Sequence, residues 1–213
     1  MTNQTKNREA KEIEDVEKPI LEHLRELRRR FIYVFIALIC GFAVSYVFIE
    51  EIYQFLVAPL AESLEDRGEN RRMIYTGLAE ACLTYLKLAL FSGFIISFPF
   101  TAWHFYAFIT PGFYKNEKSF ITPFIILSPA LFLIGAGFVY YFLFPLAWDF
   151  FLSFEVPQSG DKLPIELEAK ISEYLSLVTS LIIAFGLSFQ MPVIIMLLAK
   201  ANLINVSQLK TFR

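Results

Sequence analysis

Two carboxylates stand where long uncharged runs meet polar sequence. Glu117 lies in a polar break over residues 110–120 (TPGFYKNEKSF), and Glu26 lies in the charged stretch HLRELRRR, residues 23–30, immediately before an apolar run. A carboxylate at a bilayer surface is a docking point for an incoming cation. The planar fork of a guanidinium matches it better than the point charge of an ammonium. Other chemistry finds few residues to work with. The chain has two histidines, His23 and His104, too few for two bis-histidine haem sites, and it has no HExxH, GxSxG or glycine-rich phosphate loop. The expectation is therefore a protein that is not an enzyme, with no cofactor and no metal. His104, set among aromatics in AWHFYAF, is expected to be a structural imidazole bonded to a neighbouring helix.

The elements that must position these carboxylates follow from composition. Of 213 residues, 56% are hydrophobic and 17% aromatic, with 24 Phe; an ordinary soluble domain is roughly 45 to 50% apolar. Four uncharged runs reach membrane length, at residues 31–49, 88–109, 120–148 and 174–199, against the roughly 20 residues that cross about 30 Å of hydrocarbon. The third is too long for a straight crossing, so it must tilt, kink or emerge, and Pro123, Pro129 and Pro145 offer kinks. The fourth is interrupted by Gln190 and Pro192. Helices satisfy their own backbone groups in lipid, and no alternating barrel pattern is present, so the fold class is all-α: a polytopic helical membrane protein with four transmembrane helices.

Orientation comes from Lys and Arg. The segments on the starting side of the membrane carry thirteen of them and the opposite segments six, and Arg25, Arg28, Arg29 and Arg30 abut the first span. Both termini are therefore expected in the cytoplasm. Residues 1–18 mix both charges with few apolar groups and no signal-peptide core, so they read as a mobile cytoplasmic tail ahead of a single transmembrane domain over 19–213.

Two outer segments have character. Residues 50–64 set Ile52, Phe55, Leu56, Leu60 and Leu64 near one helical face, interrupted at Pro59, which suits a helix lying along the outer interface. Residues 149–173 are rich in Asp and Glu with Pro and Gly breakers, and read as a solvated acidic loop. Cys40 and Cys82 imply no disulfide framework and are expected as small apolar packers. The net charge of -2 averages two membrane faces, and no nucleic-acid partner is expected.

Four segments, PILEHLRELRRRF (residues 19–31), WHFYAFITPGFYKNEK (103–118), GFVYYFLFPL (137–146) and FGLSFQMP (185–192), together resemble the TatC family, the multi-spanning core of the twin-arginine protein translocase. The signature is HLxELRxR combined with FxxPxxYxxE. The resemblance implies a six-helix, glove-like fold of which this chain would carry four helices, with helices five and six absent through truncation or loss. It implies recognition of folded cargo through a signal peptide with two consecutive arginines, at the cytoplasmic face of a bacterial inner membrane. It also implies TatA- and TatB-type single-span partners, self-association, and export driven by the proton-motive force.

Carried onto this sequence, the family motif matches Glu26 and Glu117 to the glutamates that receive the signal's arginines. Arg28 and Arg30 match basic positions of the same motif, and Phe108 and Pro111 match the aromatic and proline that shape the recognition loop. Many family members have glutamate where this chain has Gln190, which cannot ionise; an interhelical hydrogen bond is its expected role.

Plainer readings stay open beside these. Glu26 and Arg30, at i and i+4, suit a brace along a lead-in helix. Asn116 suits a helix cap with Glu117 in the first turn, and Pro111 with Gly112 suits a simple turn. Two other functions also remain: a structural membrane-assembly subunit, and a small-solute transporter, although the ionisable residues gather at one face rather than at mid-membrane.

Overall fold

A computed structural model describes residues 2–65, 72–109, 121–156, 163 and 165–200. The helices run α1 (Thr2–Val47), α2 (Ile49–Glu65), α3 (Glu80–Ile109), α4 (Ile121–Phe138), α5 (Phe144–Leu152), α6 (Ile171–Ser188) and α7 (Met191–Lys200), and a π-helical segment, Val139–Leu143, joins α4 to α5. Among the described residues the extended backbone is limited to two isolated bridges, Ile74 with Lys170 and Val156 with Ile165. Among the described residues four stretches are long and apolar enough to cross a membrane: His23–Val47, Glu80–Phe108, Pro123–Leu152 and Ile171–Ala199. They coincide with the four uncharged runs of the sequence. The second begins two turns earlier than residue 88, because the Glu80 carboxylate accepts the N–H groups of Thr76 and Gly77 and so caps its own helix.

The bundle is enclosed chiefly around α3, whose spanning window is 39% buried against 11% for α1. α1 shows Phe31, Phe35, Ile39 and Tyr46 outward along its length, as a lipid-facing helix should. α1 and α3 meet at glycines. A Cβ at Gly41 would come within 2.6 Å of the Gly93 carbonyl oxygen, and one at Gly93 within 2.6 Å of the Phe42 nitrogen, so the two backbones touch directly. α4 and α6 use a knob in a notch: Phe132 is fully buried against Gly186, where a Cβ would stand 2.6 Å from its ring.

The larger core sits at the end that carries α2, where Leu56, Leu60, Leu88, Phe144, Trp148 and Tyr174 pack together. α2 contains Pro59, which has no N–H to offer the Phe55 carbonyl one turn back. Tyr140 donates its hydroxyl to that carbonyl at 2.8 Å, and Tyr174 donates to the Leu56 carbonyl at 2.8 Å. The first seals the helix break, and the two together fasten α2 across the end of the bundle. Tyr53, also on α2, has its phenol pushed above the ordinary value by burial and by neighbouring Tyr85.

Three details differ from the sequence reading. The third span departs from α geometry at Val139–Leu143, where Phe144 N–H bonds back to the Val139 carbonyl, five residues away. This π turn lies directly before Pro145, whose ring and missing N–H disturb the α ladder there. Cys40 and Cys82 are free and exposed, facing out of the bundle and not packed inside it. Among the described residues the buried Nδ1 of His104 has no hydrogen-bond partner; its ring instead meets Phe100, centroids 4.4 Å apart, and Tyr33 of α1 at 5.7 Å.

Candidate functional site

α1, α3, α4 and α7 all bring one terminus to the end of the bundle opposite α2, and the sequence-predicted residues gather there. His23, Glu26 and Arg30 recur at i, i+3 and i+7, so they share one face of α1. That face meets α3. The His23 imidazole stacks on the ring of Phe108 at 4.3 Å and 21°, and farther along the same pair of helices Tyr33 meets His104. Phe108 is half-buried and Arg28 is exposed.

Glu26 already has a cation. Arg30 donates to its Oε1 from Nη2 at 2.6 Å and from Nε at 2.9 Å. The side chains are 28% and 21% exposed, respectively, so this partly screened i, i+4 pair stabilises α1 by only about 0.3 to 0.5 kcal/mol. Among the described residues nothing bonds to Oε2, which leaves one carboxylate oxygen for a second donor. Glu26 and Arg30 therefore share a helix face with His23, the residue that meets Phe108. Glu117 and Pro111 lie outside the described residues; their segment joins Ile109 of α3 to Ile121 of α4, both at this same end.

Gln190 is separate. It stands at the break between α6 and α7, where Pro192 restarts the helix, and is 7% exposed. Ser128 of α4 donates its hydroxyl to Gln190 Oε1 at 2.6 Å, and Gln190 Nε2 donates to the Ser128 carbonyl at 2.8 Å. Both ends of the amide are satisfied, and Tyr106 of α3, Phe124 of α4 and Val193 of α7 form a second, smaller core.

Residues 22–213 match the family described as TatC, Sec-independent protein translocase protein. The chain belongs to the TatC family. It is 47% identical over 192 residues to the TatC protein of Rickettsia prowazekii, covering 90% of this chain and 75% of that one. Against TatC of Magnetococcus marinus the identity is 44%, covering 92% and 69%. A crystal structure described as the twin arginine translocase receptor TatC, in DDM, superposes with a TM-score of 0.75 at 33% identity, covering 89% of this chain and 81% of that one. As a TatC-family member, the chain is an all-α, multi-pass membrane protein of protein translocation.

Sequence reasoning missed two features that the TatC-type bundle brings into view. One is His23, the stacking partner of Phe108; its signal was the spacing of three and seven residues to Glu26 and Arg30. The other is the clamp on Glu80, which gathers Thr76, Gly77, Ser172 and Lys170 at the α2 end. Thr76 and Gly77 just ahead of Glu80 were its local sign, but Ser172 and Lys170 are more than 80 residues away.

Proposed function

We propose that this protein is the receptor core of a twin-arginine translocation system, and that the α1/α3 end of the bundle takes the two consecutive arginines of a signal peptide. In this reading Glu26 and Glu117 each receive one guanidinium, Arg28 and Arg30 set the local charge, and Phe108 and Pro111 shape the recognition loop. The face is cytoplasmic, in a bacterial inner membrane, with both termini inside and residues 1–18 as a tail leading into the transmembrane domain. The role is transport without catalysis. TatA- and TatB-type single-span proteins and further copies of this chain are its partners, and the proton-motive force drives export of folded cargo.

The observation that carries the reading is the α1 face that holds Glu26 and Arg30 together with His23, whose ring stacks on Phe108 of α3, at the end where the segment bearing Glu117 joins α3 to α4. The Glu26 and Arg30 pair favours one second reading, in which Glu26 only braces α1. Titration of the protein in nanodiscs with Arg-Arg and Lys-Lys signal peptides separates the two. Docking predicts that the Arg-Arg peptide binds more tightly, and that Glu117→Ala, and less strongly Glu26→Ala, weakens binding with membrane insertion intact. Equal binding by all variants refutes the carboxylate mechanism.

A further inference from the structure

A polar cleft opens between the first turns of α3 and α6, at the α2 end and far from the site above. α3 contributes Thr84 and Lys87, and α6 contributes Ser172, Ser176 and Thr179, around about 100 Å³ of space. The spacings of three on α3, and of four and three on α6, put each set on a single helical face. Leu88 and Leu175, both buried, form the floor. We propose that this cleft binds the headgroup of an anionic phospholipid whose headgroup carries hydroxyls, with Lys87 as its charge partner.

Depth comes first. Lys87 lies seven residues, about 10 Å, inside the start of α3. The 29-residue span Glu80–Phe108 is about 43 Å long, against roughly 30 Å of hydrocarbon. The backbone of Lys87 therefore sits just below the headgroup boundary, where its stem carries the ammonium back to phosphate level. It is exposed, and among the described residues it forms no ion pair. The nearest acid on its own helix, Glu80, is already engaged by Ser172, Lys170 and the Thr76 and Gly77 N–H groups. An uncompensated ammonium in a low-dielectric surround attracts an anion.

The hydroxyls sort by where their protons go. Ser172 gives its proton to Glu80, and Thr179 gives its own to the Leu175 carbonyl at 2.7 Å, so both present only lone pairs to the cleft. Among the described residues Thr84 and Ser176 have no side-chain acceptor and keep theirs. Lys87, Thr84 and Ser176 are thus donors suited to a phosphate, while Ser172 and Thr179 are acceptors suited to headgroup hydroxyls. A choline or ethanolamine headgroup would instead bring a second cation toward Lys87 and Lys170.

Native mass spectrometry of the full chain, delipidated in detergent, tests this with phosphatidylglycerol, phosphatidylcholine and inorganic phosphate. The expected result is one phosphatidylglycerol adduct that saturates at a concentration on the order of tenfold lower than phosphatidylcholine. Lys87→Gln should abolish that preference, Ser176→Ala should reduce it, and Lys87→Arg should keep it, which separates loss of charge from loss of fold. Equal binding of the two lipids, or an unchanged preference in Lys87→Gln, overturns the proposal. So does displacement of the lipid by millimolar inorganic phosphate, which would make the ligand a soluble anion.

Discussion

The hydroxyl of Tyr140 donates to the carbonyl of Phe55 at 2.8 Å, filling the place that Pro59 leaves empty in α2. Tyr174 donates to the next carbonyl, Leu56, in a more buried setting. A side chain from the third span and one from the fourth therefore hold the helix that closes this end of the bundle.

Removing these hydroxyls should loosen α2. Tyr174→Phe is expected to cost about 0.5 to 1.5 kcal/mol, because it removes a buried hydrogen bond, and Tyr140→Phe less, because the Phe55 carbonyl is reached by solvent. Pro59→Ala restores an N–H for Phe55, so Tyr140→Phe should cost less in that background than alone. Thermal unfolding in detergent of the four variants checks this; an undiminished cost in the Pro59→Ala background would contradict the explanation.

Gln190 and Ser128 should behave as one unit. Gln190→Leu or Ser128→Ala alone leaves a buried polar group unpaired and is expected to cost about 1 to 3 kcal/mol, while the double variant should cost less than the sum. Gln190→Glu should also destabilise at neutral pH, because a carboxylate has no proton to give the Ser128 carbonyl. Unfolding midpoints for the unmodified protein and the four variants decide it, and additive losses in the double variant would show two independent residues.

The proposed topology has a direct chemical test. With Cys40 and Cys82, both exposed, replaced by Ser, single cysteines at Glu62 on α2 and at Asn116 should report opposite sides. An impermeant maleimide added to intact cells is expected to label position 62 and spare position 116. The reverse pattern would turn the bundle over and remove the docking face from the cytoplasm.

The four spans were legible because lipid imposes a simple rule, uncharged length, that each run met on its own. Their ends were less so. α3 starts at Glu80, not near 88, because the uncharged run ends at the charge of Lys87 while the helix begins at a capping carboxylate two turns earlier. The proline breaks were visible, but their remedies were not: the Pro59 gap is filled by Tyr140, 81 residues away, and the Pro145 disturbance is absorbed by a π turn. At the candidate site, the i, i+4 relation of Glu26 and Arg30 could be read directly, and it forms. The stacking of His23 on Phe108 could not, since it depends on how α1 and α3 align about the Gly41 and Gly93 crossing. His104 follows the same logic: among the described residues its ring meets aromatics of both helices and its Nδ1 finds no hydrogen-bond partner.

The most direct test of the docking account is a double-mutant cycle between protein and peptide. Each signal arginine would be changed in turn to Gln, each of Glu26 and Glu117 to Gln, and dissociation constants measured by titration in nanodiscs. The account predicts that each glutamate couples to one particular arginine by about 1 to 3 kcal/mol. Additivity to within about 0.5 kcal/mol for every pair would contradict it.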